Sequence, residues 1–257
     1  MSIDTFRDLA DSSFRVHPDG TVVGDDGYAG RVAAAMSHVA RLSSNLADLL
    51  GVEELARIET LGTPRLSADV EFTAAREASV RAQCAVVVPR ERRAIAVVGG
   101  TDVSAALTHC VGRVGALGGV AWSGVVTHDM RLVAACLTAH DAAFATVLPR
   151  VGSRALGILR ALPADLVSDG VALHYPGLSL WVAPVGENVL VVGAPDRVVE
   201  DEWTQALDEV RAVLAGQNVT QAPAWGEAPP LAVVEEESPP ARVAAPVGAR
   251  FRGRGRR

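Results

Sequence analysis

Between Gly119 and Gly216 the apolar residues recur in an order that few folds accommodate: strand, strand, helix, three short strands, helix. Residues 120–127 and 130–137 read as a hairpin turned at His128-Asp129. A helix is predicted over 141–162, with Phe144, Val147, Leu148, Val151, Leu156, Ile158, Leu159 and Leu162 on its apolar side. Pro149 requires that this helix either begin near Leu148 or bend there. Apolar runs at 167–174, 178–183 and 189–193 follow, the last two joined as a hairpin at Glu187-Asn188. A closing helix is predicted over 196–214, striped by Trp203, Leu207, Val210, Val213 and Leu214.

The first half repeats the pattern with additions. Residues 2–10 form a short helical pattern through Ile3, Phe6, Leu9 and Ala10, with Asp4 in the first turn. Residues 14–17 and 21–24 flank Pro18-Asp19-Gly20, a strong turn signal. The clearest helix runs from Tyr28 to Leu50, striped by Val32, Met36, Val39, Leu42, Leu46, Leu49 and Leu50, and stops at Gly51. Strands are predicted at 57–61 and 66–73; in the second, Leu66, Ala68, Val70 and Phe72 share one face while Ser67, Asp69 and Glu71 point to solvent. Residues 74–81 fit neither pattern. Strands at 82–88 and 94–98 flank a charged tip at 89–93, and Thr101 or Asp102 caps a helix carrying Val103, Leu107, Cys110, Val111, Val114 and Leu117.

Composition narrows the function classes. At 49% hydrophobic residues the chain can pack a core, and at 4% aromatic that core must be Ala, Val and Leu. The chain contains no Lys, so all 24 basic residues are Arg, as in GC-rich bacterial coding. A net charge of −6 gives the body no general attraction to nucleic acid. Cys84, Cys110 and Cys136 lie in separate apolar runs and read as buried free thiols, as expected in a reducing cytoplasm. The N-terminus has no apolar signal region, and no run reaches the ~20 residues of a membrane helix. From Gln217 the periodicity gives way to Pro residues and an acidic run at 235–237, which predicts a disordered tail.

Element order therefore repeats at 14–117 and 120–215, the extra sequence of the first half falling around 74–90. Two tandem α/β units, at 1–118 and 119–216, or one mixed domain, both fit. The order resembles the roadblock family, the dynein-light-chain roadblock and longin-like small domains. The hairpin 120–137, the helix 141–162, the strand pair 178–192 and the helix 196–214 take the family's places. In the first half, Val16-His-Pro-Asp-Gly20 looks like its hairpin turn and 33–50 like its crossing helix. The departures are Pro149, the sequence at 74–90, and His128-Asp129-Met130 where the hairpin turn would carry Gly. The resemblance implies an α+β fold of antiparallel sheets with helices on their faces. It also implies dimerisation through strand edge and crossing helix, and non-enzymatic work as a regulator, scaffold or platform for small Ras-like GTPases.

No residue pattern supplies catalytic, cofactor-binding or metal-ligating residues. A P-loop needs the Lys that the chain lacks. Val97-Val-Gly-Gly-Thr-Asp102 could hold a phosphate at a helix N-terminus, but reads first as a tight strand-to-helix turn. His17, His38, His109, His128, His140 and His174 form no ligand spacing. His109 and Cys110, as helix neighbours, do not share a face. Glu200, Asp201 and Glu202 suit the positive end of a helix dipole. The terminus Arg250-Phe-Arg252-Gly-Arg254-Gly-Arg256-Arg257 has five Arg in eight residues, which suits loose contact with phosphates or an acidic surface. The expectation is a cytoplasmic, non-enzymatic protein acting through a protein partner, a small GTPase or itself. The alternatives are a nucleic-acid-associated protein using the Arg-rich tail, and an enzyme whose site the sequence does not display. Exposed edge strands are expected to favour self-association.

Overall fold

The computed structural model describes residues 13–24, 28–85, 102–137, 143–195 and 197–227. The helix at 2–10, the charged tip at 89–93, the strand at 94–98, the Gly-Gly junction before Asp102, His140, Asp196 and the Arg-rich terminus lie outside these residues.

Among the described residues, ten strands form one antiparallel sheet: β1 (Ser13–Val16), β2 (Val22–Gly24), β3 (Arg57–Thr60), β4 (Arg65–Phe72), β5 (Ala78–Ala85), β6 (Trp122–Val126), β7 (Leu132–Leu137), β8 (Val171–Tyr175), β9 (Leu178–Val185) and β10 (Asn188–Ala194). The spatial order is β2-β1-β5-β4-β3-β8-β9-β10-β6-β7. Each five-strand half thus has the same neighbour order, and the halves meet edge to edge. The meeting pair is β3 with β8, where Ile58 faces Leu173, both fully buried. The class is α+β, with four α-helices among the described residues: α1 (Tyr28–Leu50), α2 (Val103–Gly115), α3 (Leu148–Ala161) and α4 (Glu200–Leu214). No helix among the described residues is long and apolar enough to cross a membrane.

Helices α1 and α3 lie side by side over one sheet face. The predicted stripe of α1 is what buries: Val32, Met36, Val39 and Leu46 are inaccessible and join a core with Ile58, Val126, Leu148, Val151 and Leu173. Glycines in α3 set the approach distances. A Cβ at Gly152 would stand 2.4 Å from the Val126 side chain, and one at Gly157 would meet Leu42 of α1 at 3.1 Å. Of the two readings of Pro149, the structure adopts the first. The α-helix starts at Leu148, after a 3-10 turn at Phe144–Thr146, so the proline occupies the first turn, where its missing N–H is harmless.

The opposite face of β6–β10 carries a second core. There α2 and α4 pack on each other, and Leu107, Val111, Val114, Trp203, Leu207 and Val210 meet Val125, Val133, Leu190 and Val192. Helix α2 closes the first half in chain order, yet it packs on β6 and β7.

Three further differences from the sequence reading have local causes. Strand β5 begins at Ala78, not Ala82. The ambiguous stretch divides at Arg76, whose left-handed backbone (φ 60°) makes the turn and whose guanidinium bonds Asp48 and Glu54. The extra length of the first half lies mainly at 86–102, between β5 and α2, where residues 195–199 suffice in the second half. Residues 217–227, assigned to the tail on composition, pack against the body. Val219 and Ala222 are buried, Arg131 donates to the carbonyls of Thr220 and Ala222, and the Trp225 N–H donates to Leu132 O at 2.7 Å.

The hairpins β1–β2 and β6–β7 turn in the same way. Gly20 N–H donates to His17 O and Met130 N–H to Thr127 O, with φ of 83° and 65°. A left-handed residue other than Gly costs about 1 kcal/mol. Met130 is half exposed and anchors nothing. Met130→Gly should therefore raise stability by roughly 0.5–1 kcal/mol in urea melts, the opposite sign to a typical Gly substitution.

Candidate functional site: an arginine face across α1 and α3

The outer sides of α1 and α3 form one charged surface. Arg31, His38 and Arg41 are exposed on α1, and Arg150, Arg154 and Arg160 on α3. Arg150 and Arg154 are four residues apart and share a helix face. These three α3 arginines have no ion-pair partner among the described residues, and α3 itself carries no acid. Arg41 donates to His38 Nδ1 at 2.9 Å. Asp48, the one acid on the outer side of α1, is held by Arg76, which lowers its carboxyl below the ordinary range.

Acidic charge sits on the opposite side of the sheet, and most of it is engaged. Helix α4 bears Glu200, Asp201, Glu202, Asp208 and Glu209. Arg65 of β4 forms an ion pair with Glu200. Arg113 of α2 holds Glu209 at 2.5 Å and depresses its carboxyl, while Arg211 bonds Asp169 at 2.9 Å. On a chain of net charge −6, the α3 arginines on the two-helix side thus stand without an acidic partner among the described residues. Arg rather than Lys gives such a surface planar forks that match carboxylates and phosphates.

The face of β1–β5 away from α1 differs from its counterpart in β6–β10. Arg15, Arg81, Asp69 and Arg57 stand in register across β1, β5, β4 and β3, with Arg15 opposite Arg81. All four are exposed, and no helix among the described residues packs along them. Like charges directly opposite each other repel, so this face is built for water or for a polar occupant.

The predicted chemical candidates resolve individually. Asp102 is the cap of α2, its side chain accepting from Ser104 N–H at 2.9 Å. His109 is exposed while Cys110 is buried, and desolvation pushes the Cys110 thiol up to about 11. Cys84 is buried as expected, whereas Cys136 is only half buried. His128 sits exposed in its turn and donates its backbone N–H to Asn188 Oδ1 at 3.2 Å. Asp129 accepts from Thr127 and Arg131, which lowers its carboxyl. Arg250, Arg252, Arg254, Arg256 and Arg257 are not among the described residues. The α3 arginines belong to no motif and lie off the apolar stripe of their helix. The absence of any Asp or Glu between Leu148 and Ala161 was the available signal.

One grouping was invisible in one dimension. The β3–β8 and β8–β9 pairings bring Glu59, His174 and Ser179 together. No model of a known protein family matches the chain, and no curated protein is significantly similar to it.

Proposed function

We propose that the chain is a non-enzymatic regulator or scaffold made of two roadblock-like units, and that the α1/α3 face docks a protein partner, a small Ras-like GTPase by the resemblance. The observation that carries this reading is the order of the sheet. The halves β2-β1-β5-β4-β3 and β8-β9-β10-β6-β7 mirror each other about the β3–β8 pair, with their long helices adjacent. That layout puts into one chain what the family is expected to build from two, which supports a platform complete without a second subunit. Arg150, Arg154 and Arg160, without ion-pair partners among the described residues of an otherwise acidic protein, suit the acidic surface of a partner and its electrostatic steering.

The test is binding of the purified chain to small GTPases of its own genome, each loaded with GDP or a non-hydrolysable GTP analogue. Binding should depend on the nucleotide, survive removal of 228–257, and weaken about tenfold or more in the double variant Arg150→Glu/Arg154→Glu. Capture of nucleic acid that needs 228–257 and falls steeply with salt would instead favour the tail as the functional element.

A further inference from the structure

The helical layer that α2 and α4 build on β6–β10 ends near the β3–β8 pair. Beyond it no helix among the described residues covers the β1–β5 face away from α1, and the Arg65–Glu200 ion pair marks the border. A helix is about 10 Å across, and stacked sheets stand about 10 Å apart. The recess beside α2 and α4 is therefore as deep as the sheet of a second molecule needs.

The side chains on this face are polar and follow the strand register. Ser79, Arg81 and Gln83 of β5 stand opposite Glu71, Asp69 and Ser67 of β4. Arg15 and Ser13 of β1 continue the last two of these rows on one side, and Arg57 and Glu59 of β3 on the other. Positive charge thus gathers on β1 and β5, and negative charge on β4. Within the chain it is poorly matched. Arg15, Arg81 and Glu71 have no ion-pair partner among the described residues. Asp69 meets Arg57 only at 3.7 Å, with its side chain 62% exposed.

We propose that the β1–β5 face binds the same face of a second copy, about a two-fold axis running along the strands between β4 and β5. Such an axis lays β5 over the partner's β4. It sets Arg81 over the partner's Asp69, Ser79 over the partner's Glu71 and Gln83 over the partner's Ser67, and each contact occurs twice. Ser13 comes over the partner's Glu59, and Arg15 over the partner's Arg57. That last meeting joins like charges, but Glu59 already holds Arg57 at 2.8 Å. A uniformly acidic or basic occupant would oppose its own sign on β4 or on β1 and β5; the face's own reverse matches both.

With ~4.8 Å between strands and ~3.4 Å per residue, the five strands present on the order of 450 Å². Two such faces bury roughly 900 Å², less than a permanent complex. The dimer is therefore reversible and sensitive to salt. It leaves both α1/α3 faces on its outer sides, so the inference does not rest on the GTPase reading.

Sedimentation equilibrium of the full chain, up to about 0.5 mM and at low and high salt, tests it. At low salt a monomer–dimer equilibrium with a Kd of roughly 10–100 μM is expected, weakening as salt rises. Arg81→Asp and Asp69→Arg each set like charges across the axis and should weaken the dimer about tenfold or more. The double exchange Arg81→Asp/Asp69→Arg places opposite charges there again and should restore it, which a merely structural effect of the single changes would not do. Both residues are exposed, so all three variants should melt near the parent. A monomer at every concentration, a dimer indifferent to the single substitutions, or a double exchange that fails to restore it would overturn the proposal.

Discussion

Trp203→Ala should lower stability by about 3–5 kcal/mol, read from urea unfolding followed by circular dichroism. Trp203 is fully buried where α4 meets the sheet, and packs on Trp181 at 5.2 Å. Its Nε1–H reaches Asp169 O at 3.4 Å, tying α4 to the loop before β8. With 4% aromatic residues, the chain has few side chains able to fill that volume, and the surrounding Leu107, Leu207 and Val210 cannot close it without moving two helices. Trp203→Phe keeps most of the ring contact and should cost roughly 1–2 kcal/mol, the lost hydrogen bond and the smaller ring together. An alanine variant as stable as the parent would mean that α4 is not docked as described.

Gly62→Ala should cost about 3 kcal/mol, although it adds a single methyl group. Gly62 lies between β3 and β4, and its N–H donates to Leu166 O at 2.9 Å. A Cβ there would stand 2.2 Å from Asp165 O and 2.5 Å from Leu166 O. Both obstacles are backbone, so no side-chain rotation relieves them. The clash falls where the first half touches the segment after α3 in the second. Gly177, in the β8–β9 turn, is the control: its φ of 77° favours glycine, but nothing lies within 4 Å of an added Cβ. Gly177→Ala should cost only about 1 kcal/mol. Equal costs at the two sites would contradict the close junction.

What could be read from the sequence was what periodicity encodes. The stripe from Val32 to Leu46 gave α1, and the alternation from Leu66 to Phe72 gave β4 with Asp69 and Glu71 outward, both as found. Partner choice was harder to read. Helix α2 follows the first half in sequence, but the β1–β5 face away from α1 carries Arg15, Asp69 and Arg81, whereas the matching face of β6 and β7 carries Val125 and Val133. The apolar face of α2 packs where apolar surface exists. That distinction was written in the strands and needed only a comparison of the two halves. Residues 217–227 were obscured by Pro223, by the Pro-rich sequence that follows, and by anchors too few for a period, namely Val219, Ala222 and the main chain of Trp225. The Glu59–His174–Ser179 group had no local signal at all, since β3 and β8 are more than a hundred residues apart and only their pairing creates it.

The arginine face requires that the two halves share one sheet. Amide hydrogen exchange at Ala56 and Leu61 tests this most directly. Their N–H groups donate across the junction to His174 O at 2.9 Å and Gly170 O at 2.8 Å. In a joined sheet these amides exchange only with global unfolding, as slowly as those at the centre of β9 and β10. If they exchange as fast as the amides of an open edge strand, the halves are separate bodies, and that face does not exist as described.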